Sequence, residues 1–88
     1  MKVSNDFVLR EIAGEYLLIP VGVAATRFNG MITLNEVAGM LFRTLETEHT
    51  LEELTDAVTA EFDVDRDTAK EDIDDFLQQL RELGALLE

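Results

Sequence analysis

The stretch Thr26–Glu36, TRFNGMITLNE, is the part of the chain from which a fold can be built outward. Asn29 and Gly30 both tolerate the positive φ angles of a type I′ turn, so they predict a two-residue hairpin between strand-like residues. The register of that turn pairs Phe28 with Met31, Arg27 with Ile32, Thr26 with Thr33, and Ala25 with Leu34. Thr33 and Glu36 match a T-x-x-E capping box, so the second strand is expected to pass directly into a helix.

Two further strands are predicted before this stretch. FVLREI (residues 7–12) and EYLLIP (residues 15–20) flank a turn at Ala13-Gly14, and residues 1–6 are expected to be a flexible lead-in. EYLLIP is apolar on both faces, so both faces of the sheet need cover. The helices can cover one face, and loops, a second copy or a partner would have to cover the other.

Three helices are expected after the strands. Helix one has apolar residues spaced three and four apart, namely Leu34, Val37, Ala38, Leu41, Phe42 and Leu45. Thr50 and Glu53 form a second capping box that begins helix two, and Asp65 caps helix three, which ends before Gly84. The apolar stripe of helix three is Ala69, Ile73, Phe76, Leu77, Leu80 and Leu83. The sequence therefore predicts an α+β, winged-helix-like fold, one domain over residues 1–88 with antiparallel strands followed by three helices.

The net charge of −12 is concentrated in the second half of the chain. Residues 1–45 carry four acidic and four basic residues, whereas residues 46–88 carry fifteen acidic and three basic residues. Such a surface repels phosphate backbones and anionic membranes, so we expect neither nucleic acid nor membrane as a partner. It favours a basic or neutral partner, although a solvated acidic surface that aids solubility explains the same charge.

The sequence offers no set of residues for catalysis or metal binding. There is no cysteine, His49 is the only histidine, and Ser4 is the only serine. The acidic side chains of Asp72, Asp74 and Asp75 diverge around a predicted helix instead of converging on a cation. We therefore expect no enzyme activity, no metal and no cofactor. The absence of cysteine suits a cytoplasmic protein, and no apolar run approaches the roughly 20 residues that span a bilayer.

Five segments occur in a characteristic order: FVLREIAG, EYLLIP, GMITLNEVAGMLFRTLE, TLEELTDAVTAEFDVD and DIDDFLQQLRELGALLE. With these segments the chain resembles the PqqD-like family, the recognition elements of ribosomally made, modified peptides, over nearly its whole length. The resemblance implies a non-catalytic winged-helix domain that binds the leader segment of a precursor peptide. The leader would join the sheet edge as an added strand, between the third strand and the third helix, and be presented to a modifying enzyme, often a radical SAM protein.

The resemblance also implies which residues bind the peptide. The sheet edge would be Gly30, Met31, Ile32 and Thr33, and the helix wall would be Asp72, Asp75, Phe76, Gln79, Leu80 and Leu83. For Met31, Phe76 and Leu80, each taken singly, a core position is favoured over a contact with the peptide. The acidic residues would select a leader that carries Lys or Arg near its docking strand.

One segment departs from the family pattern. VGVAATRFN (residues 21–29) is longer than the connection expected before the edge strand. The longer segment leaves open where the edge strand begins, and whether an extended hairpin contacts an enzyme or a second copy. Separately, an alternative function stays open: a winged-helix protein-interaction or transcription-regulatory module, which could dimerise through the doubly apolar sheet.

Overall fold

The computed structural model describes all residues from 1 to 88. Its elements are β1 (Lys2–Val3), β2 (Phe7–Ile12), β3 (Glu15–Pro20), β4 (Ile32–Leu34), α1 (Glu36–Thr44), α2 (Leu51–Glu61), α3 (Arg66–Leu83) and β5 (Leu86–Leu87). The predicted α+β order, antiparallel strands followed by three helices, is confirmed. None of the helices has the length and the apolar character needed to cross a bilayer.

The hairpin of β2 and β3 forms where the alternating pattern predicts it. Phe7 lies opposite Pro20 at one end, and Ile12 lies opposite Glu15 at the other. Ala13 and Gly14 connect the strands with φ angles of 52° and 81°, both positive as a type I′ turn requires. The tight turn of this fold is therefore at Ala13-Gly14.

The predicted hairpin at Asn29-Gly30 is wrong. β4 pairs with β3, with Leu17 opposite Thr33, and Ala24–Thr26 forms a short 3-10 turn instead of a strand. Gly30 has a φ of 85°, but Asn29 does not have the positive φ that the turn would need. None of the four expected cross-strand pairs, from Phe28–Met31 to Ala25–Leu34, is formed.

Burial explains why residues 21–31 fold back as a loop. Ala24 is completely buried, and the centre of the Phe28 ring lies 5.9 Å from the centre of the Phe7 ring. A hairpin would remove both side chains from the core and leave one edge of β3 unpaired. The observed pairing instead gives the strand order β2-β3-β4, with β4 at an edge.

Helix α1 begins with a cap other than the predicted one. The side-chain oxygen of Asn35 accepts a hydrogen bond from the backbone N–H of Ala38 at 2.8 Å, so Asn35 is the N-cap. Thr33 lies inside β4, two residues before this cap, so it is not at the start of the helix. The expected Thr33–Glu36 capping box is therefore wrong.

The other predicted helix ends are confirmed. Thr50 and Glu53 form a reciprocal capping box with hydrogen bonds of 2.8 and 3.1 Å. The carboxylate of Asp65 accepts the N–H of Thr68 at 2.7 Å and caps α3. Gly84 ends α3 with a φ of 69°.

Residues 1–6 are not the flexible lead-in that we expected. β1 pairs with β5, and the Val3 side chain is only 5% exposed. The N–H of Val3 donates to the carbonyl of Leu45, and the N–H of Ser4 donates to the carbonyl of Ala85, each at 2.8 Å. Strands of two residues have too little periodicity to be recognised in a sequence. This clasp ties the end of α1 to the segment that follows α3.

The two faces of the three-stranded sheet differ in cover. On the inner face, Leu18 is completely buried beneath the helices. On the outer face, Val8, Leu17 and Ile19 are half-buried, and Ile12 is 55% exposed. The outer face thus presents apolar side chains at the surface of the protein.

Candidate functional site

A cavity of about 240 Å³ lies between α1 and α3, next to the C-terminal end of β4. It is lined by Asn35, Val37, Ala38, Leu41, Asp72, Asp75, Phe76 and Gln79. The cavity is amphipathic because its floor is apolar and its rim is polar. Phe76 and Leu41 are buried, whereas Asp72, Asp75 and Gln79 are exposed.

The spacing of residues along α3 brings the polar rim together. Asp72, Asp75 and Gln79 are three and four positions apart, so they lie on one side of the helix. Asp74 lies between them in sequence but does not line the cavity. No Lys or Arg lines the cavity, so its rim has a negative charge.

The opposite wall is held in place by a close contact between α1 and the sheet. Gly39 lies against the ring of Tyr16, and a Cβ at Gly39 would come within 2.6 Å of that ring. Real Cβ atoms do not approach so closely, so only glycine allows α1 to pack at this distance from β3. The contact determines where Val37, Ala38 and Leu41 line the cavity.

The edge strand β4 leads into this cavity through Asn35. Because β4 pairs with β3 alone, alternate N–H and C=O groups on its other side have no strand partner. Ile32 is half-buried on the inner face of the sheet, and Thr33 is exposed on the outer face. Gly30 and Met31 precede the strand, and Met31 is 60% exposed.

The structure brings together only part of the predicted site. Asp72, Asp75, Phe76 and Gln79 share the cavity, whereas Leu80 is completely buried in the core. Leu83 is half-buried near the end of α3. The predicted edge residues, 30–33, do not line the cavity but lie on the strand that leads to it.

The wall formed by α1 was missed in the sequence. Val37, Ala38 and Leu41 belong to the apolar stripe of helix one, and that pattern alone indicates a core position for all three. Only the packing of α3 beside α1 leaves the margin of this stripe accessible. The position of Asn35 at the start of helix one can be recognised in the sequence, because asparagine is a preferred N-cap residue and precedes the periodic segment.

A larger cavity, about 460 Å³, lies on the other side of α1. It is lined by Tyr16, Glu36, Met40, Arg43, Glu61 and Phe62. The Arg43 guanidinium lies 5.8 Å from the centre of the Tyr16 ring and 3.7 Å from the carboxylate of Glu11. The positive charge of Arg43, the only basic residue that lines this cavity, is thus already close to Tyr16 and Glu11.

The side chains with shifted pKa values serve the helix ends, not the cavity. The pKa of Glu53 is lowered because its carboxylate accepts the backbone N–H of Thr50, and Thr68 lowers the pKa of Asp65 in the same way. A hydrogen-bonded pair raises the pKa of Arg81 and lowers that of Glu88. No group of three His, Asp or Glu side chains converges into a metal site.

Comparison with known proteins identifies the family. Residues 9–86 match the family model described as Coenzyme PQQ synthesis protein D (PqqD). The structure is similar to TbiB1 solved in complex with the TbiA(beta) leader peptide, with 32% identity, a TM-score of 0.73, and coverage of 93% of this chain and 90% of TbiB1.

A second solved structure has the same fold. Lasso peptide synthetase B1, complexed with the leader peptide, has a TM-score of 0.77 and 21% identity, covering 99% of this chain and 96% of that one. The search of curated proteins found no significant match. The match over residues 9–86 spans most of the sequence, and the chain therefore belongs to the PqqD family.

Proposed function

We propose that residues 1–88 act as one recognition domain that binds the leader segment of a ribosomally made precursor peptide and has no catalytic activity. Membership of the PqqD family and the likeness to TbiB1, which was solved with a leader peptide, support this function. The observation that carries it is the open edge of β4, which leads directly into an amphipathic cavity. Such an edge can accept an extended peptide as an additional strand.

The leader adds to β4 through backbone hydrogen bonds. Alternate side chains of the added strand then point to opposite faces of the sheet. Those on the inner face lie over Ile32 and, beyond the end of β4, reach the Phe76 floor of the cavity. Those on the outer face lie beside Thr33. Affinity comes mainly from the backbone, and specificity comes from the side chains that reach the cavity.

The negative rim favours a leader with Lys or Arg. Asp72 and Asp75 are exposed and have no basic neighbour among the residues that line the cavity. Charge pairs on an exposed rim act mainly on the association rate and weaken as salt is added. Binding should therefore be tighter at low than at high ionic strength.

The bound leader is presented to a separate modifying enzyme in the cytoplasm, a radical SAM protein by analogy with the family. Presentation needs a surface that the leader does not occupy. The outer face of the sheet, with Val8, Leu17 and Ile19, is an apolar surface available for such a contact.

A 15N NMR titration tests the proposed function. The probe is the leader segment of a short precursor peptide encoded beside this gene, with a scrambled peptide as control. We expect saturable shifts at the amides of residues 30–35 and 72–79 with the leader only. Shifts that spread over the whole domain, or no shifts with any such leader, would contradict the proposal.

N-methylation of the leader tests backbone pairing directly. In an added strand every second residue points its N–H toward β4. Methylating those nitrogens should abolish binding, whereas methylating the nitrogens of the residues between them should leave binding nearly unchanged. Equal effects at all positions would indicate a mode of binding other than strand addition.

A second candidate function, a dimeric protein-interaction or regulatory module, is supported by the exposed apolar side chains of the outer sheet face. Leu17, on the middle strand, would lie near the centre of such an interface, and Ile12, at the turn end of the hairpin, would lie at its margin. Sedimentation over a range of protein concentrations distinguishes the candidates. A dimer that dissociates when Leu17 is replaced by Glu, and that ignores leader peptides, would favour the module over the peptide-binding domain.

A further inference from the structure

The two ends of β4 differ in charge. At its C-terminal end the chain passes through Asn35 into the cavity with Asp72 and Asp75. At its N-terminal end lies the loop of residues 21–31, which carries Arg27. The Nη2 atom of Arg27 is 3.7 Å from the point that a Cβ on Gly84 would occupy, so Arg27 lies at the C-terminal end of α3.

Arg27 is an available cation. It is exposed and forms no ion pair within the chain, whereas Arg43, Arg66 and Arg81 each have a carboxylate partner. Its guanidinium lies 5.7 Å from the centre of the Phe28 ring, which holds it near this end of the edge strand. The C-terminal end of α3 carries a partial negative charge, which stabilises the positively charged side chain of Arg27 at this position.

The length of α3 sets the distance between the two charges. Asp75 and Asp72 precede Gly84 by nine and twelve positions, which at the rise of an α-helix corresponds to about 14 to 18 Å. An extended strand covers that distance in about four to five residues. A leader on β4 would therefore meet the acidic end and the basic end four to five residues apart.

Resting on the proposed leader binding, we propose that the opposite charges at the two ends of β4 make the domain prefer peptides whose own charges occur in one particular order. The sheet is antiparallel throughout, so an added strand that continues its pattern runs antiparallel to β4. The N-terminal part of the peptide then lies beside Asp72 and Asp75, and its C-terminal part lies beside Arg27. The preferred ligand carries Lys or Arg first and Asp or Glu four to five residues later.

Two synthetic peptides of identical composition test the polarity. Each has blocked ends and a Thr-Val-Thr-Val spacer; one has two Lys before the spacer and two Glu after it, and the other has the charges exchanged. By 15N NMR titration at low salt we expect the Lys-first peptide to bind about three- to tenfold tighter, as two exposed charge pairs allow. The preference should shrink in 0.5 M salt.

Variants assign the preference to the named residues. Arg27→Glu should abolish most of it, and Arg27→Glu combined with Asp75→Arg should reverse it. Arg10→Glu is the matched control, because Arg10 is also exposed and without an ion pair but lies on β2, and it should leave the preference unchanged. If Arg27→Glu does not fold, Arg27→Gln replaces it in the test. That variant removes the positive charge without adding a negative one, so its preference should lie between those of the original chain and of a charge reversal.

The outcomes separate the polarity from the docking itself. Equal binding of both peptides, with shifts at residues 30–35, would overturn the polarity and leave strand addition intact. A preference for the Glu-first peptide would overturn the antiparallel arrangement. No shifts with either peptide at millimolar concentration would contradict strand addition, and the polarity would fall with it.

Discussion

Gly39 of α1 packs directly against the ring of Tyr16 on β3, at a distance that leaves no room for a Cβ atom. This contact joins the helix that forms one wall of the cavity to the middle strand of the sheet. Tyr16 is itself paired with Leu34 at the end of the edge strand. The contact therefore holds β4 and the cavity in one arrangement.

Replacing Gly39 by Ala should destabilise the protein by about 1 to 3 kcal/mol, because the new methyl group would overlap the Tyr16 ring. In a helix without such a contact the same change would stabilise by about 1 kcal/mol. Thermal unfolding checks the sign, with an expected decrease of about 4 to 8 °C for each kcal/mol. In a Tyr16→Ala background Gly39→Ala should become stabilising, and a decrease in both backgrounds would contradict the steric explanation.

Asp75 and Asp74 are adjacent, exposed and identical in chemistry, but only Asp75 lines the cavity. Asp75→Asn should weaken the binding of a Lys-containing leader about two- to fivefold at low salt, because it removes a rim charge. Asp74→Asn should leave the affinity unchanged. Isothermal titration calorimetry measures both variants, and equal losses would indicate a nonspecific effect of net charge.

Val3 and Lys2 test the clasp formed by β1 and β5. Val3→Ala should lower the free energy of unfolding by about 2 kcal/mol, since two methyl groups leave a buried position. Lys2→Ala, at the exposed neighbouring position, should change it by less than about 0.5 kcal/mol. Urea denaturation compares the two. Equal and small effects would show that residues 1–6 behave as the flexible lead-in expected from the sequence.

The helix caps predict a loss of stability in acid. The pKa of Asp65 is lowered from its ordinary value of 3.8 because the folded carboxylate accepts the N–H of Thr68. Its contribution is therefore fully present above that value and is lost as the pH falls through the lower, folded pKa. The urea concentration at the unfolding midpoint should therefore decrease as the pH is lowered from above 3.8 to below the folded pKa of Asp65, and Glu53 contributes in the same direction.

Asp65→Asn isolates the contribution of this cap. Asparagine is an equally good N-cap residue and has no charge to lose, so the variant should show a smaller decrease in urea midpoint over the same pH range. Identical curves for the variant and the original chain would show that Asp65 does not take part in the acid transition.

Local chemistry in the sequence determined the strands 7–12 and 15–20, the three helices and most of their ends. Each depends on a repeating apolar pattern or on a side chain that bonds to its own backbone neighbours, as Thr50, Asp65 and Gly84 do. Such interactions lie within a few residues of each other, so they can be read without the fold. The same helical spacing places Asp72, Asp75 and Gln79 on one side of α3, where the structure has them lining the cavity.

Only the tertiary structure decided which segments meet. Asn29-Gly30 has the composition of a hairpin turn, but burial of Ala24 and Phe28 together with the free edge of β3 outweighs that local preference. The α1 wall of the cavity and the β1–β5 clasp likewise depend on contacts between residues that are distant in sequence. Local propensities differ by about 1 kcal/mol or less, whereas burying one large side chain contributes about 1.5 to 3 kcal/mol, so long-range packing prevails where the two disagree.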